Sequence, residues 1–368
     1  TIYWYFNFLS CFLLFLICLN LFSEPIGPGI ISAVLVILFL SGLLESLLGI
    51  IQYFKDSPGR ISASFFNPAY YAGYLAGLFA FPLSGLVFGN WPGISERRKF
   101  ALRISAAVLS ALIFFAMLFS ASRSMVFALL PLGLILVSRF RYKALLVIAG
   151  LVLLVAIIPN PLRTRVLNLN QDPYAWERLR VWRTSLDIIR HHPEGVGLGM
   201  YKYHYERWAH PLKGIKYGRY GKQASQSHNE FLNFAAECSP LASIFALWFL
   251  VIIFRRVFRA MKVCKNDPCM MMRLSGFSGS LLGILGHSLV DFNLHQPPIM
   301  IVAIIDLASL IALVAQADSS VIKRREWVIR RPKLVRIPSV VSVVLLSLFI
   351  SYHTLFIGFF SYARSDKN

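Results

Sequence analysis

Ten apolar runs, most of them near 20 residues long, occupy most of this 368-residue chain. A run of that length leaves the backbone few choices, because about 20 helical residues cross the hydrocarbon of a bilayer. Hydrocarbon offers no water to peptide N–H and C=O groups, so a spanning segment satisfies them internally, as a helix does. The runs lie near 2–22, 30–54, 66–89, 103–121, 124–138, 144–159, 229–254, 274–295, 298–317 and 338–360. The run at 124–138 is short, and the stretch 28–54 is long enough to tilt or to extend past the bilayer. With 57% hydrophobic and 15% charged residues, and mean hydropathy of +0.63, the composition is far from that of an ordinary soluble domain. The expected fold class is therefore all-α, a polytopic transmembrane helix bundle of about ten spans with one large external loop containing short helices.

The net charge of +20 informs orientation rather than nucleic-acid binding, because most of it sits in short connections between apolar runs. Glu96-Arg97-Arg98-Lys99, Arg139-Phe140-Arg141-Tyr142-Lys143, the stretch 255–273 and the stretch 323–336 all carry a positive excess. Short basic loops stay in the cytoplasm. Alternation then puts the ends near Arg123, Pro159, His228 and His295 on the opposite side, with the whole loop from about 160 to 227. Long loops translocate largely regardless of charge, so the basic content of this one calls for another explanation, such as an anionic ligand.

Three parts follow: N-terminal spans over 1–159, the external loop over 160–227, and C-terminal spans over 228–368. Thr1 opens inside an apolar run and Asn368 closely follows the last one, so both ends read as truncations. No repeat or low-complexity segment stands out. Cys11, Cys18 and Cys238 fall in or beside spans, and Cys264 and Cys269 share a cytoplasmic loop without zinc-ligand spacing. The external loop holds no cysteine, and so no disulfide framework.

That loop opens with Pro159-Asn160-Pro161 and continues into Glu177-Arg178-Leu179-Arg180-Val181-Trp182-Arg183, then a helical apolar pattern through Leu186, Ile188 and Ile189. Arg178, Trp182 and Asp187 fall near one another on such a helix. Two readings stand, an arginine cradle for phosphate or an amphipathic helix facing solvent and lipid head groups. His192-Pro193-Glu194-Gly195-Val196-Gly197-Leu198-Gly199-Met200 has glycine spacing without the strand a nucleotide-binding turn requires, and reads as a tight, flexible turn. The aromatic and basic stretch 201–222 suits sugar stacking or an interfacial position.

Several ionisable residues stand where a bilayer should not hold them. Ser122-Arg123-Ser124 interrupts apolar sequence at the external end of two runs. Arg123 either snorkels to lipid phosphate or meets the phosphate of a ligand. His287, Asp291 and His295, four residues apart, are expected on one helix face approaching the same side, either pairing structurally or serving chemistry. Asn67-Pro68 reads as a helix cap followed by an N1 proline. Ser227-His228-Asn229-Glu230, with Glu237 beyond, stands where the loop returns to the membrane, and places a histidine between a water-borne hydroxyl and a lipid head group.

Taken in order, Gln52, Phe66-Asn67-Pro68, Ser122-Arg123, Arg178 with Trp182, His192-Pro193 with Gly195 to Gly199, His228-Asn229 with Leu232 and Glu237, and His287-Ser288 with Asp291-Phe292 resemble the bacterial O-antigen ligase and polymerase superfamily. The resemblance covers about 52–297 and implies a GT-C-like membrane glycosyltransferase in the bacterial inner membrane, its active site facing the periplasm. It implies a glycan donor on undecaprenyl diphosphate, and as acceptor lipid A core, a growing glycan or a protein hydroxyl, with neither nucleotide sugar nor metal cofactor. His228 matches the essential histidine, and Arg123 and Arg178 the essential arginines that hold the diphosphate. Asn67, Trp182, Asn229, Glu237 and Asp291 match supporting or substrate-binding positions. The chain departs from the family after Glu237, where Ser239 and Ala242 stand in place of glycines with Pro240 between them. Polymerisation of repeat units and protein O-glycosylation are alternatives within the enzyme reading. A transporter of the same lipid-linked glycan is the alternative outside it, although paired internal repeats are not seen.

Overall fold

The computed structural model describes residues 2–56, 59–89, 93–140, 143–168, 173–210 and 224–317, and every regular element in them is helical. Eight segments are long and apolar enough to cross a membrane. They are α1 (Ile2–Ser23), α2 (Gly27–Asp56), α3 (Pro68–Leu78) continued by α4 (Ala80–Phe88), α5 (Glu96–Phe119), the segment Arg123–Phe140 that ends in α6 (Leu129–Phe140), α12 (Pro240–Val263), α13 (Pro268–His287) and α14 (Pro297–Ala317). The chain is a multi-pass helical membrane protein.

Three expected spans change shape. The run at 144–159 becomes α7 (Lys143–Ile157), which bends by 80° into the short helix α8 (Pro161–Leu167), where Asn160 caps and Pro161 starts a new first turn. The run at 229–254 is two helices, α11 (Glu230–Cys238) and α12, because Ser239 takes φ +131° and Pro240 begins afresh. The run at 274–295 stops at His287, and residues 288–296 form a turn containing a single 3₁₀ segment, Asn293–His295. The expected run at 338–360 lies outside the described residues, as do 211–223 of the external loop.

α13 is the hub, packing on α3, α4, α6 and α14. Its Ser- and Gly-rich sequence permits the close approach that apolar burial alone cannot drive in lipid. A Cβ on Gly283 would stand 2.6 Å from the Ala76 carbonyl oxygen of α3, which leaves glycine as the residue that fits. Peripheral helices instead expose large apolar side chains, such as Leu241, Ile244, Phe245 and Trp248 on α12, as a lipid-facing surface does.

A second, smaller core belongs to the external segment. α9 (Pro173–His191) and α10 (Tyr201–Trp208) bury Val181, Ile188, Tyr201 and Tyr205 with Ala236 of α11. The loop is thereby docked on the helix that follows His228.

Candidate active site

Three chain turns and one loop helix converge at one end of the bundle. The first turn ends α5: Ala121 takes φ +48°, Ser122 N–H donates to Ser120 Oγ (3.2 Å), and Arg123 begins a 3₁₀ segment, Arg123–Ala128. Two further arginines close over this turn. Arg60 Nε donates to the Ser120 carbonyl at 3.1 Å, and Arg165 Nη1, from α8, donates to the Ala121 carbonyl at 3.0 Å. Gln52 fixes the segment after Arg60, accepting at Oε1 from the N–H groups of Ser62 and Ala63, both at 3.0 Å.

The second turn carries His228, itself at φ +51°, a conformation that costs a non-glycine residue about 1 kcal/mol and concentrates at functional sites. Asn229 caps α11 through Leu232 N–H (3.0 Å), Ser227 N–H reaches Asn233 Oδ1 (3.1 Å), and Glu230 N–H reaches the Ser288 carbonyl (2.9 Å). The imidazole is buried, packs against Phe292, and has Nδ1 3.2 Å from Asp291 Oδ1.

Asp291 belongs to the third turn, 288–296. Its Oδ1 also accepts from Phe292 N–H (3.0 Å), and its Oδ2 faces Arg178 Nη2 at 3.4 Å. Burial pushes this carboxyl up, but the His228 hydrogen bond and the Arg178 charge outweigh it and hold it below the usual carboxylate range. From α9, Arg178 thus grips Asp291, and Trp182, one turn later, donates from Nε1 to the His228 carbonyl (3.4 Å).

Between these elements lies a cavity of about 230 Å³ lined by Arg60, Arg123, Arg165, Arg178, His228 and Asp291, with Asn67, Ser122 and Ser124 at its wall. Four guanidinium groups against one carboxylate make it strongly anion-attracting. A larger apolar cavity of about 450 Å³ adjoins it: Arg123 lines both, and Phe79, Phe114, Leu129, Val155 and Leu162 form much of the second.

The fold therefore brings Arg123, Arg178, His228, Asp291 and Asn67 to one cavity, Asn67 also capping α3 through Ala69 N–H at 2.8 Å. Trp182 holds the His228 carbonyl from behind, and Asn229 caps the helix that follows it. Glu237 stands elsewhere. Its Oε1 accepts from Tyr201 N–H (3.3 Å), while the Ala236 and Glu237 carbonyls accept from Val196 and Gly197 N–H, both at 2.9 Å. The glycine turn is thus docked on α11, and Gly195, at φ +89°, lies so close that a Cβ would meet the Glu237 carbonyl oxygen at 2.6 Å.

Two expected groupings are corrected. Asp187 does not join Arg178 and Trp182: five residues past Trp182 it is roughly 140° around the helix, where it meets His210 Nε2 at 2.5 Å and Arg190 Nη1 at 3.2 Å. That His210 contact, with the Arg190 charge, holds the Asp187 carboxyl low against some burial. His287, Asp291 and His295 do not share a helix face, because α13 ends at His287. His287 Nδ1 instead contacts Asn293, and His295 Nδ1 lies 3.1 Å from Glu230 Oε2. Burial pushes the His295 imidazole down, but the Glu230 carboxylate prevails and raises it above its ordinary value.

Arg60 and Arg165 escape the sequence reading because each sits in a short connecting segment near breakers, Gly59 in one case and Pro161 in the other, with no apolar periodicity to mark it. Their position on the external side by alternation was the available signal. Among the described residues no three His, Cys, Asp or Glu side chains converge as metal ligands would.

Comparison with curated proteins gives no match. Residues 106–238, from the middle of α5 to the end of α11 and including Arg123, Arg178 and His228, match the family model Wzy_C, O-antigen ligase; the match covers about a third of the chain and agrees with the resemblance read from the motifs.

Proposed function

We propose that the chain is a glycosyltransferase that moves a glycan from undecaprenyl diphosphate to an acceptor hydroxyl at the periplasmic face of the inner membrane, as an O-antigen ligase does. The family match supports a glycosyltransferase-like membrane enzyme, and the observation that carries the finer reading is the cavity in which four arginines surround a His–Asp pair.

In this reading His228 donates Nδ1–H to Asp291, and its other ring nitrogen takes the proton of the acceptor hydroxyl. The hydroxyl oxygen attacks the anomeric carbon. The bond from that carbon to the diphosphate oxygen breaks, and the electron pair leaves on the diphosphate. Charge accumulates there as the bond breaks, so fixed cations already in place lower the barrier without reorganising. Arg123 and Arg178 are the principal diphosphate contacts, with Arg60 and Arg165 holding the Ser120–Ala121 turn and adding charge. The adjoining apolar cavity suits the isoprenoid chain, since a polyprenyl diphosphate presents its charge beside its hydrocarbon. Nucleotide sugar and metal have no step in this scheme.

The test is glycan transfer in proteoliposomes from an undecaprenyl diphosphate oligosaccharide, with lipid A core, a second donor molecule and a serine-rich peptide as competing acceptors. Mass spectrometry should find a product, best with lipid A core, that vanishes with His228→Ala. Donor movement across the bilayer that survives the mutation, with no product on any acceptor, would overturn the proposal in favour of a transporter.

A further inference from the structure

Asp306 is an ionisable residue that neither the arginine cavity nor the proposed reaction uses. It stands near the middle of α14, a spanning helix, and is the one charged side chain on that helix. It is 0% exposed, and neither carboxyl oxygen has a hydrogen-bond partner among the described residues. An ionised carboxylate so placed is costly unless a cation accompanies it. The elements packed on α14 are α1, α3, α12, α13 and the 3₁₀ segment 293–295. None of them offers Asp306 that cation. α1 and α3 carry no lysine, arginine or histidine. On α13, Arg273 Nη2 donates to Ser32 Oγ (3.0 Å) and His287 contacts Asn293. His295 pairs with Glu230. On α12, Arg256 and Arg259 are exposed and gather with Val314, about two turns beyond Asp306.

Two serine hydroxyls share the place. Ser280 of α13 faces the Asp306 carboxyl, and Ser309 follows Asp306 by three residues, on the same face of α14. Both serines are 0% exposed and have no hydrogen-bond partner among the described residues. Other serines of the spans bond back to their own helix, as Ser110 does to the Ala106 carbonyl (2.8 Å) and Ser288 to that of Ile284 (2.9 Å). Ser280 and Ser309 do not, so their hydroxyls stay available to a third party. A Cβ on Gly77 would stand 3.3 Å from Ser280 Oγ, which puts the place where α3, α13 and α14 meet. Oxygens that share one cation at about 2.4 Å converge in this way without bonding to one another.

We infer that Asp306, Ser280 and Ser309 bind a monovalent cation, sodium, in the middle of the membrane and thereby tie α14 to α13. Charge selects the valence. One carboxylate with two neutral hydroxyls balances a single positive charge, whereas a divalent ion would leave a net charge in hydrocarbon. Hard oxygen ligands suit an alkali cation. The site has no part in the glycan chemistry, and it stands whether or not the transferase reading does.

The experiment is thermal unfolding of the full chain in nanodiscs, with sodium chloride exchanged for choline chloride at constant ionic strength. Tm should rise by several degrees between about 1 and about 150 mM sodium, because the ion binds the folded state. Asp306→Asn should fold and lose that dependence, since an amide has no charge for the ion to balance. Ser309→Ala, which keeps the carboxylate and gives the same test if the amide variant does not fold, should move the sodium midpoint severalfold higher. A Tm indifferent to sodium in the unmodified chain would overturn the inference. So would a sodium response that survives Asp306→Asn, or an unchanged midpoint in Ser309→Ala. A Tm that rises on acidification and not with sodium would also overturn it, and would give the carboxyl a proton in place of the ion.

Discussion

Two histidine–carboxylate pairs flank the 288–296 turn, and they differ in what surrounds them. His228 and Asp291 meet at 3.2 Å beside four arginines, and His295 and Glu230 meet at 3.1 Å in a separate cavity of about 300 Å³ that, among the described residues, no arginine or lysine lines. In the first pair Arg178 also faces Asp291, so the carboxylate has a cation beside it other than the imidazole. In the second, Glu230 has the imidazole as its cation, and the His295 pKa is raised accordingly. One side-chain combination thus stands among four guanidinium groups on one side of the turn and, among the described residues, without any on the other.

The contrast breaks most sharply if the two histidines are removed in turn. His228→Ala should lower transfer by about 10²- to 10⁴-fold with Tm little changed, whereas His295→Gln should lower it only severalfold. Measured kcat values for both variants decide the point, and comparable losses would erase the distinction. Next in size, Arg178→Lys should cost transfer about 10²-fold, because an ammonium loses the planar fork that can serve both Asp291 and a diphosphate. Arg178→Lys at full activity would exclude a bidentate role. Arg60→Ala and Arg165→Ala should each cost about tenfold, seen as weaker binding of geranylgeranyl diphosphate.

Stability should separate the pairs by pH. The Asp291 pKa is lowered on folding, so its contribution is present above the unfolded carboxylate value and is lost as pH falls through the folded one. The His295 pKa is raised, so its contribution is complete below the unfolded imidazole value and is lost as pH rises through the folded one. Tm measured across pH should therefore lose an acid-side slope with Asp291→Asn and a slope just above the ordinary imidazole value with His295→Gln. The smallest effect is expected from Gln52→Ala, about 1–2 kcal/mol of stability from two lost hydrogen bonds, read as a modest drop in Tm.

Much of the bundle was legible because hydrocarbon thickness dictates run length and apolar residues report it directly. The breaks were harder. Residues 229–254 read as one run by length, although Ser239-Pro240, a capping residue before an N1 proline, marks the fresh start at α12. The 288–296 turn was hidden by a four-residue spacing that imitates a helix face. At the site, Arg123, Arg178 and His228 stood out because each interrupts or adjoins apolar sequence in a fixed order. Arg60 and Arg165 did not, since an arginine in a connecting segment has the same local sequence whether it faces water or a distant carbonyl, as Arg60 does with that of Ser120. Glu237 was legible from its place in the resemblance, but its bond to Tyr201 N–H depends on how the loop docks.

The spacing of Arg178 and Trp182 also governs how this protein can tolerate changes in chain length. Two contacts one helical turn apart engage two different turns of the bundle, Asp291 and the His228 carbonyl. One residue inserted between them would swing one contact about 100° around α9 relative to the other, so that either the arginine or the indole misses its target. Insertions should therefore be excluded from the four-residue interval, and equally from the 195–197 turn that docks on α11, which makes indel scanning a reading of where the external segment is held.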